Sequence, residues 1–233
     1  MEKLVTAARA FDVVLSPEQL AAFEIYLREL TDWNTRVNLT GIIDRDQVIL
    51  KHFLDSLSVV PMLPADAVSL LDVGSGAGFP GVPLKIVRPG LRVTLLESVG
   101  KKVAFLNHLI ATLNLTDTVA VQARAEDLAR DVAHRDKYDV VVARAVANLP
   151  LLAEYALPFV RVGGVFIAQK GIAIDDEVKL ATRAFRILGS EIQAIQSVQL
   201  PGLEPRHLIV VSKIKATTDT FPRRAGMPER KPL

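Results

Sequence analysis

The stretch DVGSGAG, residues 72–78, is the strongest fold signal in this 233-residue chain. A mostly apolar stretch, residues 68–71, precedes it, and two prolines follow within the next five residues. Three glycines at alternate positions let a backbone turn sharply and approach a ligand without side-chain clashes. The N-terminal amides of a helix that begins after such a turn favour a carboxylate or a phosphate. The stretch therefore predicts a buried strand, a glycine-rich turn and a helix that together face a ligand.

After residue 64 the chain alternates short β-rich runs with amphipathic segments. Strands are predicted at residues 68–73, 92–97, 119–122, 138–143 and 165–169, and a terminal pair at 192–200 and 207–214. Helices are predicted near residues 82–87, 101–113, 126–132, 149–160 and 174–188. Several strands are apolar on both faces, which is typical of a covered parallel sheet. We predict an α/β, Rossmann-like fold with a mostly parallel seven-stranded sheet, helices on both faces and a reversed strand at its edge.

The first 64 residues have a different pattern, which we interpret as a helical extension. A serine, a proline and a glutamine at residues 16–19 form an N-cap signal, and an apolar stripe follows. Asp44 begins a second capping signal, whose helix is predicted to run to about residue 60. The predicted organisation is an N-terminal helical extension, 1–64, followed by a ligand-binding domain, 65–233, with a basic C-terminal tail.

Composition narrows the class of protein. The net charge is only +2, and the absence of cysteine excludes disulfides, thiolate zinc sites and cysteine nucleophiles. With four histidines and no cysteine, no metal site is predicted. No stretch approaches the ~18 apolar residues that span a bilayer, and the N-terminus has no signal-peptide core. We therefore predict a soluble, cytoplasmic protein without a membrane or metal partner, and we expect a monomer.

The glycine turn is compatible with two kinds of nucleotide ligand. Gly76, Gly78 and Gly81 satisfy the dinucleotide fingerprint, and Glu97 provides the acid about 20 residues later. Two details favour S-adenosylmethionine. The Asp72 carboxylate can face an ammonium group but would repel a pyrophosphate, and the prolines around Gly81 crowd the place where a dinucleotide enzyme packs its third glycine. We predict a class I S-adenosylmethionine-dependent methyltransferase. A nicotinamide enzyme and a glycine turn without a ligand stay open.

Two acids follow the next two predicted strands. Glu97 ends the second strand, where a carboxylate accepts hydrogen bonds from both ribose hydroxyls of an adenosine. Support of the helix that begins near residue 100 is the alternative role; the two roles are compatible, and ribose binding is favoured. Ala125 and Glu126 follow the third strand, where a methyltransferase usually holds adenine. For Glu126 a simple helix start is the alternative.

Motifs along nearly the whole chain resemble the bacterial small-subunit ribosomal RNA guanine-N7 methyltransferase G family, also called glucose-inhibited division protein B. They are DVGSGAGFPGVPLKI at 72–86, WNTRVNLTG at 33–41, KHFLDSL at 51–57, ARA at 143–145, FPRRAG at 221–226 and KPL at 231–233. Together these segments are far more specific than a glycine motif.

The resemblance implies transfer of a methyl group from S-adenosylmethionine to N7 of one guanosine in 16S ribosomal RNA. The implied partner is 16S ribosomal RNA or the small ribosomal subunit. Carried over by position, the resemblance implies cofactor contacts at Gly74, Phe79, Ala125, Glu126 and Arg144. The class I pattern adds Asp72, Gly76, Gly78 and Glu97 to the predicted cofactor-binding residues.

Guanine N7 carries a lone pair and no hydrogen, so the implied reaction needs no general base. Its rate can come from holding N7 about 3 Å from the methyl carbon. Arg144, which follows the fourth predicted strand, cannot be a base at neutral pH. It is the first catalytic candidate, in contact with the cofactor, a phosphate or guanine O6, with a structural ion pair as the alternative. His52 and Asp55 share a helix face and are the other candidates, with a packing role as the alternative.

A basic rim is expected where the RNA backbone would bind. Lys170, Arg223 and Arg224 are its predicted RNA-binding residues, and a solvated charge is the alternative for each. The target base should be unpaired or flipped out of its helix. Two further hypotheses stay open: a class I methyltransferase with another substrate, and a non-catalytic RNA- or ribosome-binding protein that retains the fold.

Overall fold

A computed structural model describes residues 1–233 and contains one seven-stranded sheet. Its strands are β1 (Ser69–Val73), β2 (Arg92–Glu97), β3 (Thr118–Gln122), β4 (Tyr138–Arg144), β5 (Val160–Lys170), β6 (Ser190–Val198) and β7 (Arg206–Lys213). The order is β3-β2-β1-β4-β5-β7-β6, and the five strands β1 to β5 are mutually parallel. This confirms the predicted α/β class and the mostly parallel seven-stranded sheet.

The reversed strand is β7, and the prediction that it lies at the sheet edge is wrong. It pairs antiparallel with β5 on one side and with β6 on the other, so β6 forms the edge. Parallel neighbours need a crossover connection, whereas antiparallel neighbours need only a short turn. The connection through α9 places β6 at the edge of the sheet, with space for one strand between β5 and β6. After the turn at residues 201–202, β7 fills this position.

The helices are α1 (Glu2–Ala8), α2 (Pro17–Asn34), α3 (Arg45–Val48), α4 (Asp55–Leu57), α5 (Gly81–Val87), α6 (Gly100–Thr112), α7 (Ala125–Leu128), α8 (Leu149–Ala156), α9 (Asp175–Ile187) and α10 (Met227–Arg230). Two of them, α7 and α8, end four residues earlier than predicted. The helix α8 ends before Pro158, which has no amide hydrogen to donate, and β5 begins at Val160. After α7 the backbone hydrogen bonds join residues three apart, as in a 3₁₀-helix, so the α-helical pattern ends at Leu128. None of the helices combines the length and apolar character needed to cross a bilayer.

The N-terminal helices pack on one face of the sheet. The predicted capping box is present, since Ser16 Oγ accepts from the Gln19 amide at 3.2 Å and Gln19 Oε1 accepts from the Ser16 amide at 2.9 Å. The second predicted helix is divided by a π-helical stretch, Ile49–Leu54, and α1 was not predicted. Phe23 shares one hydrophobic cluster with strands β1 and β2. The domain boundary at residue 64 stays a prediction.

Candidate functional site

Two cavities lie at the carboxyl edge of the sheet, one on each side of the loop at residues 145–147. The first, which we call the acidic cavity, has a volume of about 210 Å³ and lies over the ends of β1, β2 and β3. The second, the basic cavity, has a volume of about 430 Å³ and lies between the ends of β4 and β5 and the N-terminal helices. Ala145 adopts a left-handed conformation, φ 57°, where the chain leaves β4. The chain therefore bends sharply between the two cavities.

The charged residues of the acidic cavity are three carboxylates, Glu97, Glu126 and Glu229, and one cation, Arg124. A net negative lining attracts a positively charged ligand and repels an anion. S-adenosylmethionine has a sulfonium and an ammonium against a single carboxylate, whereas a dinucleotide has an anionic pyrophosphate. The lining therefore fits S-adenosylmethionine and does not fit a nicotinamide cofactor.

The Glu97 side chain connects the glycine turn to the next helix. Its Oε2 accepts the Gly76 amide at 3.0 Å and its Oε1 accepts the Val99 amide at 2.9 Å, while the residue is only 6% exposed. The structural role considered from the sequence is therefore present. Each carboxylate oxygen has further lone-pair capacity toward the cavity that Glu97 lines, so the geometry leaves room for a ribose contact.

The three glycines of the turn all have positive φ, and they serve different purposes. At Gly74, φ 71°, an added Cβ would lie 2.7 Å from the Val146 side chain, which packs on the turn from the loop between the cavities. At Gly76, φ 58°, a Cβ would make only an ordinary contact, 3.9 Å from the Gly74 carbonyl oxygen. At Gly78, φ 97°, a Cβ would lie 2.7 Å from the Tyr26 hydroxyl, which donates to the Ala77 carbonyl. Gly78 therefore packs against helix α2, a role that the motif did not predict.

Asp72 and Gly81 pack against each other beneath the turn. Asp72 is fully buried, its Oδ2 accepts the Gly81 amide at 2.8 Å, and burial raises the pKa of Asp72 to about 7. A Cβ on Gly81 would lie 2.6 Å from the Leu95 side chain, so this glycine is packed against the strands despite its flanking prolines. The proline argument against a dinucleotide enzyme was therefore wrong. Asp72 lines neither cavity, and its contact with a cofactor ammonium stays a prediction.

The three catalytic candidates from the sequence meet at the mouth of the basic cavity. Arg144 donates from one terminal nitrogen to Asp55 Oδ2 at 2.8 Å and to the Lys51 carbonyl at 3.1 Å. Its other terminal nitrogen lies 3.2 Å from His52 Nδ1. The ion pair is largely buried, with side-chain exposures of 14% for Arg144 and 8% for Asp55. The π-helical stretch thus brings residues about 90 positions apart in the chain into one polar cluster.

His52 has polar neighbours at both ring nitrogens. Nδ1 lies 3.2 Å from an Arg144 guanidinium nitrogen, which can only donate, and 3.1 Å from the Lys51 carbonyl, which can only accept, while Nε2 lies 2.8 Å from Thr40 Oγ1. Burial, followed by the charge of Arg144, lowers the pKa of His52 to about 4. Phe79, a predicted cofactor contact, instead stacks on His52 and lies beneath Arg144, 4.9 Å from the guanidinium carbon. It lines neither cavity, and its cofactor contact stays a prediction.

The lowered pKa of His52 predicts a loss of stability in mild acid. The unfolded chain binds a proton near pH 6.5 and the folded chain only near 4, so this contribution is complete above pH 6.5 and is lost as the pH falls. Between about pH 7.5 and about pH 5, wild type should lose roughly 2 kcal/mol more unfolding free energy than His52→Gln. Urea unfolding at the two pH values tests this. Equal losses in both proteins would contradict the buried neutral histidine.

The basic cavity has four cationic side chains, Lys51, Arg144, Lys170 and Arg206, against Asp55 and Glu177. Lys51 and Arg206 were not among the site residues predicted from the sequence. Arg206 begins β7, and the antiparallel pairing of β7 with β5 places it near Lys170. Its buried Nε has no partner. A motif search could not find this residue, because only its charge distinguishes it in the sequence.

The predicted RNA-binding residues differ in their surroundings. Lys170 Nζ lies 2.7 Å from Glu177 Oε2 and donates to the Ala147 carbonyl at 2.9 Å, so it is neutralised and holds the loop between the cavities. Arg223 is paired with the buried Glu154 at 2.6 Å. Only Arg224 is exposed without an ion pair. Lys170 and Arg223 already have carboxylate partners, and their contacts with RNA stay predictions.

Comparison with known proteins identifies the family. The family model described as "rRNA small subunit methyltransferase G" matches residues 19–209. The chain belongs to this family. It is similar to the ribosomal RNA small subunit methyltransferases G of Roseiflexus sp. (strain RS-1), 50% identical over all of both chains, and of Chloroflexus aggregans, 47% identical over 99% of this chain and 97% of that protein. The family confirms the predicted resemblance, the enzyme class and S-adenosylmethionine as methyl donor.

Solved structures support the fold. An O-methyltransferase from Bacillus cereus in complex with SAH superposes with a TM-score of 0.56 at 19% identity, covering 81% of this chain and 90% of that one. A precorrin-6y C5,15-methyltransferase from Geobacter metallireducens gives 0.53 at 16% identity, covering 69% and 87%. The predicted class I methyltransferase fold is confirmed.

Proposed function

We propose that this chain transfers the methyl group of S-adenosylmethionine to N7 of one guanosine in 16S ribosomal RNA, with the methyl donor in the acidic cavity and the guanosine in the basic cavity. The observation that carries this assignment of sites is that a single loop, residues 145–147, separates two cavities of opposite charge. A cationic methyl donor and an anionic RNA need two neighbouring surfaces of opposite charge. The two bound ligands must also be close enough for direct transfer of the methyl group.

The residues around the acidic cavity fit the parts of the cofactor. When bound, S-adenosylmethionine supplies a methyl group on a cationic sulfur. Glu97 would accept the ribose hydroxyls, Ala125 and Glu126 would hold the adenine at the end of β3, and Gly74 and Gly76 would let the backbone approach. Each of these residues except Gly76 lines the cavity, and the Gly76 amide is held by Glu97.

The polar cluster contains no free base at neutral pH, which agrees with attack by N7. Both ring nitrogens of His52 already have hydrogen-bond partners, and the Asp55 carboxylate is in an ion pair. A nitrogen that must lose a proton would need one of these groups, whereas N7 already has an available lone pair. Arg144 can donate to guanine O6 or to a phosphate while the others hold it in place. It cannot bind N7 during transfer, because that would occupy the attacking lone pair.

Labelled S-adenosylmethionine and hypomethylated small ribosomal subunits test the function directly. We expect one methyl group on N7 of a single guanosine of 16S RNA, located by mapping the modified base. Naked 16S RNA in a parallel reaction identifies which of the two partners is the substrate. Cofactor binding without incorporation into RNA would favour another substrate, and absence of cofactor binding would favour a non-catalytic RNA-binding protein. We further propose that the enzyme acts in the cytoplasm as a monomer.

Salt dependence distinguishes the two cations at the rim of the basic cavity. Arg206→Gln should lower the slope of log affinity for RNA against log salt by about one, because an arginine without a carboxylate partner can bind one phosphate. Lys170→Gln should leave the slope unchanged and instead lower the turnover rate, because Lys170 is paired with Glu177 and holds the loop. Filter binding at several salt concentrations and single-turnover rates provide the measurements. A reduced salt-dependence slope in Lys170→Gln would support the predicted contact of Lys170 with RNA.

A further inference from the structure

The C-terminal tail, residues 217–233, folds back from β7 to the acidic cavity. Phe221 and Leu233 pack against the hydrophobic cluster on the sheet face that is covered by α8 and α9. Pro222 and Pro228 are buried. The family model ends at residue 209, so this segment lies beyond the part of the chain that it matches. The tail is nevertheless an ordered part of the domain and not a solvated extension.

Arginines fix the tail in place. The Arg223 side chain donates three hydrogen bonds to the carboxylate of Glu154, at 2.6, 3.0 and 3.2 Å, and the Arg223 amide donates a fourth at 2.7 Å. Glu154 is only 1% exposed. Arg130 donates to the Pro222 carbonyl at 2.6 Å, and Arg135 donates to the Phe221 carbonyl at 2.9 Å. Charge-assisted bonds of this kind are the stronger class, so the anchor position of the tail is well defined.

Beyond this anchor the tail reaches the carboxylate predicted to hold adenine. The Gly226 amide donates to Glu126 Oε1 at 3.2 Å, and Arg124 lies 3.3 Å from the same oxygen. Glu126 is 1% exposed, so these two groups determine its position. Three residues later Glu229 lines the same cavity and accepts from the Tyr155 hydroxyl at 3.3 Å. The tail thus contributes Glu229 to the lining of the acidic cavity and the Gly226 amide as a hydrogen-bond donor to Glu126.

We infer that the C-terminal tail is a positioning element of the cofactor site: Arg223 anchors it, and the Gly226 amide holds the Glu126 carboxylate for the exocyclic amine of adenine. This inference rests on the proposed placement of S-adenosylmethionine in the acidic cavity. An amine donor needs an acceptor that is already oriented, since an acceptor free to rotate loses entropy on binding. Arg223 acts through two other residues and does not itself contact the ligand.

Calorimetric titration of the full chain with S-adenosylmethionine tests the inference. Arg223→Gln should weaken binding roughly tenfold, which is the effect expected from the loss of one hydrogen bond to a charged group. The turnover rate at saturating cofactor should be retained, so that the defect appears in KM and not in kcat. Arg223→Lys should restore part of the affinity. Arg230→Gln is the matched control, because Arg230 is exposed on the same tail without an ion pair and its loss should leave cofactor affinity unchanged.

A double variant identifies the route of the effect. If Arg223 acts through Glu126, Arg223→Gln should weaken binding much less in a Glu126→Gln background than in wild type. Equal weakening in both backgrounds, or wild-type affinity in folded Arg223→Gln, would overturn the inference. If wild type binds the cofactor but neither Glu97→Ala nor Glu126→Gln weakens binding, the proposed cofactor site fails instead.

Hydrogen exchange of the wild-type chain gives a test that needs no variant. Coupling between two sites is reciprocal, so bound S-adenosylmethionine should slow exchange of the amides at residues 221–230. No residue of helix α9 lines the acidic cavity, so the amides of α9 provide the internal reference. Unchanged exchange in the tail with saturating cofactor would overturn the inference, even where Arg223→Gln does not fold.

Discussion

Arg144→Ala should reduce the single-turnover rate of methyl transfer roughly 10²- to 10³-fold, the usual cost of losing one donor that faces a reacting group. It should also lower the free energy of unfolding by about 3 kcal/mol, because the largely buried Asp55 carboxylate loses its partner. Both effects follow from one fact, that the same guanidinium faces the basic cavity and neutralises a charge beneath it.

A double variant separates these two effects. In Arg144→Met with Asp55→Asn both charges are removed, so most of the lost stability should return while methyl transfer stays low. Urea unfolding measures the first quantity, and single-turnover methylation of hypomethylated subunits measures the second. A folded Arg144→Ala variant with a near-normal rate would remove Arg144 from the proposed active site. Recovery of the methyl-transfer rate in the double variant would show that Arg144 acts only by stabilising the fold.

Glu97→Ala should raise the dissociation constant for S-adenosylmethionine at least 100-fold. Two ribose hydroxyls would lose a charged acceptor, and hydrogen bonds to charged groups contribute about 1.5–3 kcal/mol each. The Gly76 and Val99 amides would also lose their acceptor, so the glycine turn itself would be less well held.

The comparison with Glu97→Gln gives this prediction its control. The amide retains the shape and one acceptor oxygen, but its NH2 group would face the Gly76 or the Val99 amide, so it should keep only part of the affinity and part of the thermal stability. Calorimetry with S-adenosylmethionine, together with thermal unfolding of each variant, provides the readout. Wild-type affinity in a folded Glu97→Ala protein would place the ribose elsewhere and leave Glu97 only its structural role.

Much of the sheet and part of the site could be predicted because their signals are local. The glycine turn, the capping box at Ser16 and the parallel strands depend on backbone conformations and short periodicities that neighbouring residues encode. The ends of parallel strands meet at one edge, so Glu97 and Glu126 were expected beside the same ligand. Both line the acidic cavity.

Identical residue types with different surroundings could not be distinguished in this way. Arg223 and Arg224 are adjacent and equally basic in the sequence, yet only Arg223 meets a buried carboxylate, 69 residues away in the chain. Lys170 was expected to face phosphate, but its partner Glu177 is brought to it by the packing of α9. The partner of a charge depends on contacts between distant segments, and no local pattern encodes those contacts.

The sequence by itself thus determined the fold class, the family and the edge of the sheet where the two cavities lie. These follow from local backbone preferences, hydrophobic periodicity and motifs spread along the chain. Only the tertiary structure decided that β7 lies inside the sheet, that Arg144, Asp55 and His52 form one cluster, and that the tail reaches the acidic cavity. Hydrogen bonds and close ion pairs form only between groups that lie a few ångströms apart, so they depend on where the folded chain places each group.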